Sequence, residues 1–185
     1  MSPGVSKTAF QLRISLKEYV PVIWRRLLVP GGVTMAKLHT IFQTAMGWEN
    51  YHLHCFEIDG VRYGIPDPEF EMTDIDDETV RLSDVVGERA RFEYQYDFGD
   101  NWCHEVIIES VGTLDLVLKF AVCLEGQRAC PPEDVGGAHM YSMVLEAIRD
   151  PDHEEHEEYM NWIAPGFDPD AFELAAINAA LQRVR

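Results

Sequence analysis

From Phe10 to Lys17 the chain alternates without a break: Phe10, Leu12, Ile14 and Leu16 against Gln11, Arg13, Ser15 and Lys17. A period of two predicts a half-buried strand. Glu18-Tyr-Val-Pro21 reads as a turn. Val22 to Val29 then reads as a second strand, apolar except for Arg25 and Arg26, and Pro30-Gly-Gly32 ends it. The two predict a hairpin, with Arg25 and Arg26 on opposite faces. Next the period changes. Leu38, Ile41, Phe42 and Ala45 fall at i, i+3, i+4 and i+7 behind Thr34, a good N-cap, and ahead of Gly47, a good C′ residue. This predicts a helix over about 35–46.

A third strand is expected over His52–Ile58, with Asp59-Gly60 turning it into Val61–Tyr63. Residues 67–78 hold seven acids and no Lys or Arg, and read as an exposed loop. Ser83–Val86 suggests a helical turn. Phe92, Tyr94, Tyr96 and Phe98 alternate with polar residues, a strong strand signature, and 102–111 returns as its partner. Leu114–Val122 reads as a strand or an extended packing segment. The Pro and Gly pairs make Arg128–Gly137 irregular. Helices follow: one marked by Tyr141, Val144, Leu145 and Ile148, a short acidic one over Glu154–Trp162, and a third capped by Asp168 with Pro169 at N1, running to about Val184. Strands first and helices last argue for α+β, here a mixed or antiparallel twisted sheet with a β-grasp-like strand–strand–helix–strand start and a helical C-terminal part. The expected organisation is a single domain, sheet-rich over about 9–123, irregular over 124–137 and helical over 138–184.

Composition narrows the partners. Of 185 residues, 32 are Asp or Glu and 15 are Lys or Arg, a net charge of −17. Nucleic-acid binding needs cations to displace counterions from phosphates, so this charge argues against DNA and RNA; the basic candidate is Arg25-Arg26 with Arg13 and Lys17 nearby. An unidentified protein or a small ligand is the expected partner. The N-terminus lacks an apolar signal region, and no apolar run approaches the ~20 residues of a membrane span. The expectation is therefore a cytoplasmic protein in which Cys55, Cys103, Cys123 and Cys130 are free thiols or ligands and not disulfide staples.

The densest chemistry lies in Tyr94–His104. If Gly99-Asp100 are the central residues of a tight turn, Asp97 falls opposite Trp102 and shares a face with Gln95 and His104. A carboxylate beside a histidine can orient it for base work or metal binding. Turn chemistry alone also accounts for Gly99, Asp100 and Asn101. His52 and His54, two apart on a strand, face one side and would hold a metal if a carboxylate or thiol joined them. The candidate metal set is His52, His54, Asp97, Asp100 and His104, with zinc or manganese as the ion. Cys123 and Cys130 are farther apart than a usual zinc pair; with one or two histidines they would form a mixed site, and otherwise they read as buried small hydrophobes. His153 and His156 lack the spacing of a zinc-protease helix. Phosphate-loop, dinucleotide and serine-hydrolase signatures are absent from the sequence.

Five blocks stand in order: Val22-Ile-Trp-Arg-Arg26, Gly47-Trp-Glu-Asn-Tyr-His-Leu-His-Cys-Phe56, Tyr96-Asp-Phe-Gly-Asp-Asn-Trp-Cys-His104, Cys130-Pro-Pro-Glu-Asp-Val-Gly-Gly137 and Phe167-Asp-Pro-Asp-Ala-Phe172. Together, over about Ala9–Leu181, the chain resembles the plasmid pRiA4b ORF-3-like family, also met as passenger proteins of bacterial insertion elements. The resemblance implies an α+β protein without an established activity. Relatives often carry a cysteine where this chain has Val135, so any thiol pair formed there with Cys130 is lost in this chain.

Three functional readings follow. The first is a non-enzymatic binding module associated with mobile elements, using an aromatic groove of Trp48, Tyr51, Tyr96, Phe98 and Trp102. The second is a metal-dependent hydrolase or nuclease built on the His/Asp set. The third is a nucleic-acid-associated element protein using Arg25 and Arg26.

Overall fold

The computed structural model describes residues 7–67 and 74–184. The strands are β1 (Thr8–Leu16), β2 (Trp24–Pro30), β3 (His54–Ile58), β4 (Val61–Gly64), β5 (Ile75–Asp76), β6 (Arg91–Tyr96), β7 (Trp102–Thr113) and β8 (Val122–Gln127). The helices are α1 (Met35–Met46), α2 (Leu82–Val85), α3 (Gly137–Arg149), α4 (His156–Trp162) and α5 (Leu174–Leu181). The architecture is α+β. The strands form one sheet in the order β5-β4-β3-β6-β7-β1-β2-β8, antiparallel throughout except for β4 and β5, which run parallel. The strand–strand–helix–strand start is present, and β6 and β7 separate β3 from β1.

Alternation in β1 buries Phe10, Leu12, Ile14 and Leu16. In α1 the Thr34 side chain accepts the Lys37 N–H, and Gly47 ends the helix in the left-handed region. Its buried face carries Met35, Leu38, Ile41, Phe42, Ala45 and Met46, and also two polar residues, His39 and Gln43, one turn apart. Both reach the buried hydroxyl of Tyr94 on β6, at 2.8 Å from His39 Nδ1 and 2.9 Å from Gln43 Nε2.

Arg25 and Arg26 point to opposite faces, as alternation requires. Arg25 is buried, and its guanidinium donates to the carbonyls of Ala45, Trp24, Gln127 and Arg128 at 2.7–3.0 Å. One cation thus ties the C-terminal end of α1 to β2 and to the end of β8. Arg26 pairs with Glu109, at 2.7 Å, and with Glu125 on the other face. Gly126 makes room for this clasp: a Cβ there would lie 2.8 Å from Arg25 Cδ and 2.5 Å from the Phe172 ring.

Several boundaries differ from the sequence expectation. β3 begins at His54, so His52 precedes the strand. Residues 124–127 of the expected irregular segment pair with β2 as the edge strand β8. α5 starts at Leu174 instead of after Asp168. Tertiary contacts hold the intervening segment out of helix: the Pro169 carbonyl accepts the Ala129 N–H, and Asp168 closes a local turn onto Asp170. The acidic segment 67–78 is not simply exposed. Part of it, 68–73, lies outside the described residues. Within the rest, Asp77 is buried, and Asp74 pairs with Arg62 at 3.0 Å.

Candidate functional site

The β6–β7 hairpin has a different register from the expected one. Its loop runs from Asp97 to Asn101, both with left-handed φ (55° and 58°). Asp97 Oδ1 accepts the N–H groups of Gly99 and Asp100, and the Asn101 N–H closes the loop onto the Asp97 carbonyl at 2.7 Å. The longer loop shifts the ladder by one residue. Tyr96 pairs with Trp102, Gln95 with Cys103 and Tyr94 with His104. A one-residue slip exchanges faces, so Asp97 leaves the ladder and the face expected to join it to Gln95 and His104 does not form.

The candidate metal residues fall into separate groups. His52 Nε2 lies 3.0 Å from Asp134 Oδ1, 3.6 Å from Asp97 Oδ2 and 4.0 Å from Glu133 Oε2. Ligand atoms of His52, Asp97 and Asp134 all lie within 4.8 Å of one another. A metal bonded at about 2.1 Å to two ligands at right or tetrahedral angles separates them by about 3.0–3.4 Å; the 3.0 Å His52–Asp134 spacing falls in that range and the 3.6 Å His52–Asp97 spacing lies just beyond it. His54 instead binds Asp77 through Nε2, at 2.8 Å, with both side chains buried. Asp100 accepts the Gly136 N–H at 2.9 Å. His104 is fully buried, with Nδ1 at 3.2 Å from the Tyr94 carbonyl, and burial lowers its pKa to about 4.

Backbone and side chains brace the carboxylates around His52. Asp97 Oδ1 is held by its own loop, which leaves Oδ2 toward His52. Glu133 accepts the Glu49 N–H at 2.8 Å and the Tyr96 hydroxyl at 3.1 Å. The segment carrying Glu133 and Asp134 is pinned further by Trp48 Nε1, which donates to the Pro131 carbonyl at 3.0 Å. Gly137 closes against the hairpin with φ of +82°, where a Cβ would sit 2.7 Å from the Asp100 carbonyl oxygen. Three of the sequence blocks, 47–56, 96–104 and 130–137, therefore meet at one place.

His52 also lines a neighbouring cleft of about 490 Å³ with His39, Asn50, His54, Asp76 and Asp77. Inside it His39 and His54 stack, and His39 is committed on both ring nitrogens, to Tyr94 and to Asn50 Oδ1 at 2.5 Å. Burial, reinforced by His54, lowers the His39 pKa to about 3, so it is neutral at physiological pH.

The aromatic candidates divide by exposure. Trp48, Tyr96 and Trp102 are buried and pack on one another, with ring centroids 5.0 and 6.0 Å from Trp48. Tyr51 and Phe98 are exposed. Cys123 and Cys130 are buried free thiols, and burial pushes the Cys130 pKa up to about 12, which keeps it protonated. His156 Nδ1 lies 2.9 Å from the Ala147 carbonyl and ties the start of α4 to α3, while His153 Nδ1 accepts the Glu155 N–H within the connection between the two helices.

The sequence does not single out His39, Asp77, Glu133 or Asp134, which the structure brings to the His52 cluster and the cleft beside it. His39 lay on the buried helix face as a polar exception. Glu133 and Asp134 stood in a distinctive block but were read only as loop. Nothing local set Asp77 apart from the six other acids of its segment.

The model of plasmid pRiA4b ORF-3-like proteins matches residues 8–176. This chain belongs to that family. The uncharacterized protein y4hQ of Sinorhizobium fredii is 38% identical over 178 residues, covering 92% of this chain and 89% of the relative. A crystal structure of a protein of unknown function from Methanosarcina mazei Go1 superposes with a TM-score of 0.83 at 34% identity, covering 91% of this chain and 96% of that one. The fold is thus shared with the Methanosarcina mazei protein over 91% of this chain. No helix among the described residues is long and apolar enough to cross a membrane.

Proposed function

We propose that this pRiA4b ORF-3-like protein binds a divalent cation, zinc or manganese, through His52, Asp97 and Asp134, and uses it for metal-assisted hydrolysis of a small polar substrate in the adjacent cleft. One observation carries the reading. His52 Nε2 is enclosed and faces three carboxylates, yet has no hydrogen-bond partner, because the 3.0 Å approach to Asp134 is not aligned for one. A cation accepting the imidazole lone pair and the carboxylates resolves that electrostatic mismatch.

His52, Asp97 and Asp134 would hold the ion and leave a position open for water, whose acidification is the chemistry a bound ion would supply. Hydrogen bonds to the far oxygens of Asp97 and Glu133 fix the carboxylates as outer-shell contacts do in metal sites. His54 lines the cleft beside His52, with its ring orientation set by buried Asp77. It is the group positioned to exchange a proton with substrate or leaving group. Asp76, Asp77 and Glu78 line the same cleft, so the substrate that suits it is neutral or cationic.

Elemental analysis of untagged protein tests the site. The expected result is one zinc or manganese per chain, lost in His52→Ala and in Asp134→Asn. Metal-free protein whose melting temperature is unmoved by either ion would sink the proposal, because binding to the folded state must stabilise it.

A further inference from the structure

Away from the cleft, α3 and α4 enclose a second depression of about 190 Å³. Met140 and Val144 of α3 and Tyr159 and Trp162 of α4 line it, with Asp134 and Glu158 at its edge. The apolar surface extends past the depression. Met140, Met143, Met160 and Trp162 are 38%, 42%, 49% and 47% exposed, and α4 has no buried residue although it carries Tyr159, Met160 and Trp162. A clustered apolar surface with a polar rim marks an interaction site more often than scattered exposed residues do. Methionine suits such a surface because its flexible, polarizable side chain adapts to different apolar partners.

Charge selects the occupant. The connection leading into α4 and its first turn, Asp150 to Glu158, carries Asp150, Asp152, Glu154, Glu155, Glu157 and Glu158 and no Lys or Arg. Asp134 and Glu158 bring carboxylates to the groove itself. A polyanion or an anionic membrane is repelled by this rim and by the net charge of −17. A second copy of the chain would set the same acidic rim against itself across a two-fold contact. A partner with apolar anchors flanked by Lys and Arg satisfies both the apolar floor and the acidic edge.

We propose that the α3–α4 groove is a docking site for a basic, amphipathic peptide segment of a partner protein. Asp134 is shared with the metal site, but the apolar floor and the six acids of Asp150 to Glu158 carry this inference without it.

The probe is a labelled synthetic peptide of about 18 residues, about five helical turns, with Leu on one face and Lys on the other. Its counterpart has Glu in place of every Lys. Fluorescence anisotropy should show saturable binding of the basic peptide alone, weakening as salt rises. Met140→Ser and Trp162→Ala leave the net charge unchanged, and each should weaken binding about tenfold or more. Circular dichroism and melting curves identify a variant that has unfolded, in which case the other variant decides. Equal binding of both peptides overturns the proposal, as does an absence of binding. Undiminished binding to both folded variants would show charge attraction without a groove, and also overturns it. Concentration-dependent dimerisation abolished by Met160→Lys would assign the surface to a second copy instead.

Discussion

His39 of α1 and His54 of β3 stack face to face, with ring centroids 3.5 Å apart and planes within 5° of parallel. Two imidazolium ions cannot share that geometry without strong repulsion. Asp77 bonds His54, while Tyr94 and Asn50 take both nitrogens of His39, which stays neutral. The pair joins the helix, the sheet and the acidic segment after β5 at the floor of the cleft.

This arrangement sets an acid limit on stability. The folded-state pKa of His39 is lowered to about 3 and that of His104 to about 4, against 6.5 for an exposed histidine, in both cases chiefly by burial. The unfolded chain therefore binds more protons as pH falls below 6.5. Stability contributed by neutral burial is complete above that value and declines toward the folded pKa. Each histidine should cost about 2 kcal/mol by pH 5 relative to neutral pH. Urea denaturation at pH 7.5 and pH 5 should show a clear fall in midpoint, and His104→Phe should remove about half of it. A midpoint that is flat across this interval would contradict neutral burial of both rings.

Asp77 is expected to matter more than its setting in an acidic segment suggests. It is buried, and its carboxylate holds His54 at 2.8 Å. Removing the carboxylate leaves a buried imidazole nitrogen without its hydrogen-bond partner, at about 1–3 kcal/mol. Asp77→Ala should lower stability by that order, whereas exposed Glu78→Ala should change it by less than about 0.5 kcal/mol. Paired denaturation curves measure both. Similar small effects would mean that the His54–Asp77 contact does not contribute to folding.

These residues show which features local sequence can encode. The α1 boundaries were legible because cap residues and a 3.6-residue period act within the helix itself. The β1–β2 hairpin and the Tyr94–Tyr96 alternation were legible for the same reason. The hairpin register was not, because a loop from Asp97 to Asn101 and a two-residue turn use the same residue types, and backbone φ at Asp97 decides between them. The His52 cluster was half legible: Asp97 was proposed, but Asp134 arrives from more than thirty residues away on a loop whose position depends on tertiary contacts. Trp48, Tyr96 and Trp102 carry the opposite lesson. An aromatic run cannot show from its sequence whether it forms a groove or a core, and here those three rings are buried.

Gly137 should link fold to site. Its φ of +82° strains any other residue, and an added methyl would meet the Asp100 carbonyl oxygen at 2.7 Å. Gly137→Ala is expected to cost about 1–3 kcal/mol and to displace the loop that carries Glu133 and Asp134. Gly60 also has positive φ, but no atom lies within 4 Å of an added Cβ. Gly60→Ala should therefore be destabilising through strain alone and leave zinc or manganese affinity unchanged. Isothermal titration of the two variants separates these effects. Equal metal affinity in both would show that the loop does not depend on this close approach.

Arg25 and Arg26 provide a comparison between adjacent cations. Arg25 donates to four backbone carbonyls from a buried position, and burial lowers its pKa from the usual arginine value. A lysine offers one compact ammonium in place of a planar fork and cannot serve carbonyls spread over α1, β2 and β8. Arg25→Lys should leave buried carbonyls unpaired at about 1–3 kcal/mol each, enough for a total loss of at least about 3 kcal/mol. Arg26 forms partly exposed ion pairs with Glu109 and Glu125, and Arg26→Lys should cost less than about 1 kcal/mol. Raising salt to 1 M should reduce the Arg26 contribution further and leave the Arg25 difference nearly intact, because buried contacts are screened far less. Denaturation midpoints of the two variants at low and high salt test this. A salt-sensitive Arg25 effect, or equal losses at the two positions, would place Arg25 among surface charges instead of at the junction of helix and sheet.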